Sequence, residues 1–208
     1  MSAAGHKRLP SEDGRLVRSA FEMRPITTRA EQAEARALVQ DRLDWLAHRN
    51  LPADPAAAGL FTDSARQRVG LYEDEVLIGC MLVDADLDLR HWRKGALGPS
   101  LLLQHVYSAP GQSGILRLVS LWAAHYAACV GLPCLRAEIG PLHIGPLATL
   151  GRLLRHAQSL GWQTRGYGPG LNGDRVAYLE LPAQARPGLT PLISSTVTST
   201  PGMDRSTS

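Results

Sequence analysis

A chain of 208 residues has room for one domain with tails. Apolar residues make up 44% and charged residues 20%, which excludes a fibrous or wholly disordered protein and leaves enough material for a core. The 22 Lys and Arg against 19 Asp and Glu give a net charge of only +3. The cations are scattered, so no nucleic-acid partner is expected.

In chain order, residues 1–22 are polar and unpatterned and read as a disordered tail. "MRPITT", from Met23, reads as a short strand. Thr28 and Glu31 then have the spacing of a capping box, and Ala35, Leu38, Val39, Leu43 and Leu46 follow helical spacing to about His48. A second short helix is expected over 61–67. "RVGLY" and "VLIGCMLV" read as two strands of a hairpin around "EDE", and "DLRHWRKGALGP" as a loop. "LLLQHVYS" reads as a central strand, in which period two places His105 with Tyr107 on one face and Gln104 with Val106 on the other. The polar gap "APGQSG" separates it from a helix whose apolar positions are 115, 118, 119, 122, 123, 126 and 130, stopped by Gly131. "CLRAEIG" alternates as a strand, "LATLGRLLRHAQSLGW" is a helix ending at Gly161, and "QTRGYG" and "RVAYLEL" are two last strands. The segment 183–208, rich in Ser, Thr and Pro, reads as a second disordered tail. Residues 23–182 are therefore expected to form a single α/β (α+β) domain with helices packed on a mixed sheet.

Cys80, Cys129 and Cys134 are an odd number in apolar surroundings and read as small buried hydrophobes in a reducing, cytoplasmic setting. The most apolar run, "LVSLWAAHYAACVGLPCL", is broken by His125, Gly131 and Pro133, and the N-terminus lacks a signal-peptide core, so no membrane association is expected. No spacing suggests a metal site. Asp84, Asp86 and Asp88 would share one strand face, as a solvated face or an acidic patch for a cationic amine. His125 and the four tryptophans, Trp45, Trp92, Trp122 and Trp162, read as structural.

The order and spacing of "MRPITTRAEQAEARALV", "RVGLYEDEVLIGCMLV", "LLLQHVYSAPGQSGILRLVSLWAAHYAACVGLPCLRAEI" and "LGRLLRHAQSLGW" resemble the GNAT superfamily of acyl-CoA-dependent N-acetyltransferases. The resemblance implies a mixed, mostly antiparallel sheet whose fourth and fifth strands splay apart. It implies acetyl-CoA as acyl donor, with pantetheine on the backbone of Val106, Tyr107 and Ser108 and pyrophosphate on the turn formed by Gln112, Ser113, Gly114, Ile115 and Leu116. The implied reaction is direct transfer to a small-molecule or peptide amine in a ternary complex, and a homodimer is left open. Glu138 or His143 would serve as base, and Tyr107 could replace a missing acid.

The sequence departs from the family pattern at two points. The family's turn reads Gln/Arg-x-x-Gly-x-Gly/Ala, whereas here Gly114 follows Gln112 too soon and Leu116 stands where a small residue is expected. The Tyr that often precedes the Gly of the last helix by four residues is Ala157 here, with His156 beside it but about 100° around the helix. Both departures favour a second reading, a catalytically degenerate module of the same fold that binds or regulates.

Overall fold

A computed structural model describes residues 20–63, 66–85, 89–92, 98–140 and 147–197. Its strands are β1 (Phe21–Pro25), β2 (Gln67–Glu73), β3 (Val76–Asp84), β4 (Leu101–Ser108), β5 (Cys134–Ile139), β6 (Gln163–Pro169), β7 (Arg175–Pro182) and β8 (Ile193–Ser195). Three α-helices are α1 (Arg29–Ala47), α2 (Ile115–Cys129) and α3 (Leu147–Ser159). The eight strands form one sheet in the order β6-β7-β5-β4-β3-β2-β1-β8. Only β4/β5 and β1/β8 are parallel; the other pairs are antiparallel.

α1 begins where the capping box requires. The Glu31 N–H donates to Thr28 Oγ1 at 3.2 Å, and the Thr28 N–H donates back to Glu31 Oε2 at 2.9 Å. Its apolar positions Ala35, Leu38, Val39 and Leu43 are buried. They pack with Phe61 of a short 3-10 helix (Ala57–Thr62) and with Tyr72, Cys80 and Leu82 on one face of the sheet. The opposite face is covered by α2, where Val119, Trp122, Ala123 and Ala127 meet Leu71, Met81, Leu101, Leu103 and Leu135 in the main core. α3 adds Ala157, and the following turn adds Trp162. A third, small cluster of Leu89, Trp92, Leu102, Val176 and Tyr178 lies apart from both.

The expected order of elements is the observed one as far as Pro182, except that β1 opens at Phe21, inside the segment read as a disordered tail, because Phe21 and Glu22 pair with Glu73 and Tyr72, and that the second short helix is shifted to Ala57–Thr62. Three other readings are corrected. The chain after Pro182 does not leave the domain: β8 pairs in parallel with β1, and Leu189, Ile193 and Val197 are buried in the main core. Those three apolar residues are too sparse to stand out in a Ser/Thr/Pro-rich segment. Cys129 is exposed, whereas Cys80 and Cys134 are buried as expected. The alternation assigned to β4 fails as well. Leu82 pairs with Gln104 and Cys80 with Tyr107, so Met81 faces two residues, His105 and Val106. This is a β-bulge, and His105 takes the extra turn with φ +49°. Cross-strand partners share a face, so Gln104 and Tyr107 lie on the same side, that of Leu82 and Cys80. His143, Asp86 and Asp88 lie outside the described residues, as do 1–19 and 198–208. Among the described residues, no helix is long and apolar enough to cross a membrane, and no group of three or more His, Cys, Asp or Glu could hold a metal ion.

Candidate functional site

β4 and β5 run side by side only briefly. Leu101, Leu102 and Leu103 pair with Leu135, Arg136 and Ala137, and there the parallel ladder ends. The bulge at His105 turns β4 away immediately past the last pair, because an extra residue bends its strand and increases the local twist. Below the fork, the sheet is locked by Arg136 of β5. Its guanidinium donates to Glu180 Oε2 at 3.2 Å, to the Gly98 carbonyl at 3.1 Å and to Ser100 Oγ at 3.1 Å. Glu180 also accepts from Arg165 Nη2 at 2.6 Å. Burial works against the Glu180 charge, but the two arginines outweigh it and hold the carboxyl below its usual range.

Above the fork lies a cleft of about 370 Å³. It passes through the sheet. On the α2 side it is lined by Ile115, Leu116, Leu153, Ala157 and Trp162; on the α1 side by Arg42, Leu43, Leu46 and Pro52–Asp54, with the β6–β7 turn around Gly170–Asn172. Val106, Tyr107 and Ser108 form one bank, and Glu138 and Ile139 the other. Past Leu103, the edge of β4 that faces β5 has no strand partner among the described residues, which leaves backbone donors and acceptors on that edge for a ligand.

The turn before α2 ends at the same cleft. Gly111 and Gly114 have φ of +85° and +81°, and open space lies where a Cβ would stand on either. These left-handed conformations need glycine. Gly114 is the N-cap of α2 and provides no side-chain cap. Among the described residues, nothing accepts from the N–H groups of Ser113, Gly114, Ile115, Leu116 or Arg117. An uncapped first turn carries the positive end of the helix dipole and favours an anion. Gln112, Ser113 and Gly114 are exposed, so their backbone is open to approach. The Ile115 side chain is buried in the core, so this residue can offer only its N–H. Leu116 is half-buried and lines the cleft with its side chain.

Tyr107 is packed edge-on against Phe61 at 6.2 Å between ring centroids. Burial, reinforced by Asp54 and Cys80, pushes its hydroxyl up to about 12, so it keeps its proton at neutral pH. Glu138 is held rather than free. Its Oε1 accepts from Trp92 Nε1 at 2.7 Å and is paired with His91 Nε2, and its Oε2 accepts from the Leu171 N–H at 2.9 Å. Gly170 makes that approach feasible, because a Cβ there would stand 2.9 Å from Glu138 Oε2. His91 escaped sequence reasoning: it sits in a loop without periodicity, and no signal ties it to a strand 47 residues away. Ala157 faces the cleft, whereas His156 is exposed beyond it. His125, read as structural, accepts the Arg186 N–H at 2.9 Å. Trp92, Trp122 and Trp162 are buried, and Trp45 carries two arginines on its ring.

No protein-family model matches the sequence, and no curated protein matches it. Solved structures do match in fold. A protein from Desulfovibrio desulfuricans assigned to the GNAT acetyltransferase family is 16% identical with a TM-score of 0.57, over 79% of this chain and 100% of that one. The ribosomal-protein-S18-alanine N-acetyltransferase of Escherichia coli is 14% identical with a TM-score of 0.53, over 81% of this chain and 98% of its own. An N-acyl amino acid synthase from uncultured soil microbes is 18% identical with a TM-score of 0.52, over 78% and 91%. With its mixed, mostly antiparallel eight-stranded sheet flanked by helices, the chain has the GNAT fold.

Proposed function

We propose that the protein is an N-acetyltransferase that moves an acyl group from acetyl-CoA to an amine by direct attack in a ternary complex. The observation that carries this reading is the cleft itself, which runs through the sheet from the uncapped end of α2 to the α1 side. A donor and an acceptor can therefore enter from opposite faces and meet between Tyr107 and Glu138.

The residues present fit a CoA molecule. The unclaimed N–H groups from Ser113 to Leu116 suit the pyrophosphate, and the open spaces at Gly111 and Gly114 let it approach. The free edge of β4 at Val106–Ser108 suits the amides of pantetheine. The Leu116 side chain would lie along the arm. Bound there, acetyl-CoA would supply a thioester as the acyl source. The chain's own part is positioning and proton transfer. The β4 backbone would polarise the thioester carbonyl. As the C–N bond forms and the C–S bond breaks, the amine proton passes to Glu138, directly or through water. His143, outside the described residues, is the alternative base. Tyr107, protonated at neutral pH, would return a proton to the leaving thiolate.

One observation favours the second reading, a module that binds but does not catalyse. Both oxygens of Glu138 are already engaged by protein hydrogen bonds, so an amine or a water would have to compete with them for the carboxylate. Calorimetric titration with acetyl-CoA, followed by thiol release in the presence of amines, separates the possibilities. Binding with turnover supports the transferase, binding without turnover for any amine supports the module, and no binding at millimolar ligand sinks both.

A further inference from the structure

The α1 side of the cleft carries a cation that the proposed transfer leaves unused. Arg42 lines the cleft from α1. Residues 42, 45 and 49 are spaced by three and four, so they share one flank as the helix ends. The guanidinium carbons of Arg42 and Arg49 lie 4.3 and 3.9 Å from the centre of the Trp45 ring. Stacking on Trp45 fixes the Arg42 fork before any ligand arrives. Arg42 is half-buried, and among the described residues no carboxylate or other acceptor engages it. Burial first, and then the Arg49 charge, lower its pKa from the usual guanidinium value. An unmatched, partly desolvated cation is a cost in the free protein that an anion would remove.

The acids of the same cleft are arranged differently. Glu138 is tied to His91, Trp92 and the Leu171 N–H, and Asp54 accepts the Ala56 N–H at 2.9 Å. Asp54 and Asp174 also line the cleft, so an ammonium entering it meets negative charge while Arg42 waits on the wall. A polyamine would find Arg42 repulsive, and an uncharged amine would leave it unmatched.

We infer that the acceptor is an amine that also carries a carboxylate, an amino-acid-like zwitterion whose carboxylate is gripped by the planar fork of Arg42. A single planar fork suits two in-plane oxygens. The inference rests on the acyl-transfer reading for its amine half, whereas the carboxylate half stands on Arg42 alone.

The experiment uses the full chain as wild type, Arg42→Gln and Arg42→Lys, with the L-amino acids and their carboxamides as probes. Gln keeps helix propensity, and Lys keeps the charge but loses the fork. Acetyl-CoA affinity is measured by calorimetry, turnover by thiol release, and binding without cofactor by thermal shift. In support, at least one acid would exceed its amide in kcat/KM by about tenfold or more. Arg42→Gln would erase that preference, Arg42→Lys would restore part of it, and acetyl-CoA affinity would not change. Amides used as well as acids, or a preference that survives Arg42→Gln, would overturn the inference. Failure of acetyl-CoA to bind would overturn the transferase reading separately. In that case, or if no probe is acetylated, the thermal shift decides. A Tm rise with an acid but not its amide, lost in Arg42→Gln, sustains the carboxylate site; no such difference removes it.

Discussion

The two faces of the sheet are built on different plans. Beneath α2 and α3, one continuous core runs from Met23 at one end to Leu181 at the other. On the opposite face the apolar cover is divided between the α1 cluster, around Phe61 and Tyr72, and the small Trp92–Tyr178 cluster. The interval between them is where β4 and β5 part. The continuous face keeps the sheet folded, which leaves the divided face free to hold an opening where Arg42, Asp54 and Glu138 stand among apolar side chains.

Tryptophan truncation on each face tests that contrast most severely. Trp122 is fully buried, is stacked on Tyr126 at 5.2 Å and donates to Ser195 Oγ at 3.1 Å. Trp122→Ala should cost about 5 kcal/mol in urea unfolding. Trp92 stacks on Tyr178 at 4.6 Å in a cluster of five residues, and Trp92→Ala should cost nearer 3 kcal/mol while also loosening Glu138. Equal losses from the two would break the comparison.

Next in size is a change confined to the opening. Tyr107→Phe keeps the ring against Phe61 and removes the hydroxyl. It should leave the unfolding free energy within about 0.5 kcal/mol and reduce kcat about 100-fold. Unchanged turnover would remove Tyr107 from the chemistry. Gly114→Ala then asks whether the turn is shaped for a ligand or only for the chain. Its Cβ would enter open space, so the stability cost is that of the left-handed backbone, about 1 kcal/mol. A rise in the acetyl-CoA Kd of the folded variant would place the ligand over the turn, and an unchanged Kd would place it elsewhere.

The smallest effect concerns the lock below the fork. The Glu180 carboxyl titrates below its usual 4.5, so its contribution is complete above the unfolded-state value and is lost as pH falls through the folded one. Stability measured from pH 6 down to 3 should therefore fall more steeply in the wild type than in Glu180→Gln. Identical slopes would show that the Arg136–Glu180 pair does not respond as described.

Much of this was legible in the sequence because it is local. The Thr28–Glu31 box, the period of α2 and the glycines at 131 and 161 each act within a few residues, and each stands where the pattern puts it. The fork was legible only through resemblance, since no local pattern says that a parallel ladder stops after three pairs. The bulge escaped because alternation assumes one residue per position, and a histidine at positive φ leaves no compositional trace. The grip on Glu138 escaped for a related reason. It joins His91, Trp92 and the Leu171 N–H, residues that only the finished sheet brings together. Nothing in the sequence singles out Arg42, because only the folded chain sets the cleft beside it.

The segment after Pro182 holds α2 from the side away from the sheet's fork. It crosses that helix as a strap: the Ala183 N–H donates to the Pro133 carbonyl, the Gln184 N–H to the Ala124 carbonyl and the Arg186 N–H to His125, before β8 docks on β1 and Ser195 accepts from Trp122. These bonds hold the middle of α2, at Ala124 and His125, to the segment that pairs with β1, so a cut at Pro182 would remove one side of the support of the helix whose first turn lies at the mouth of the cleft.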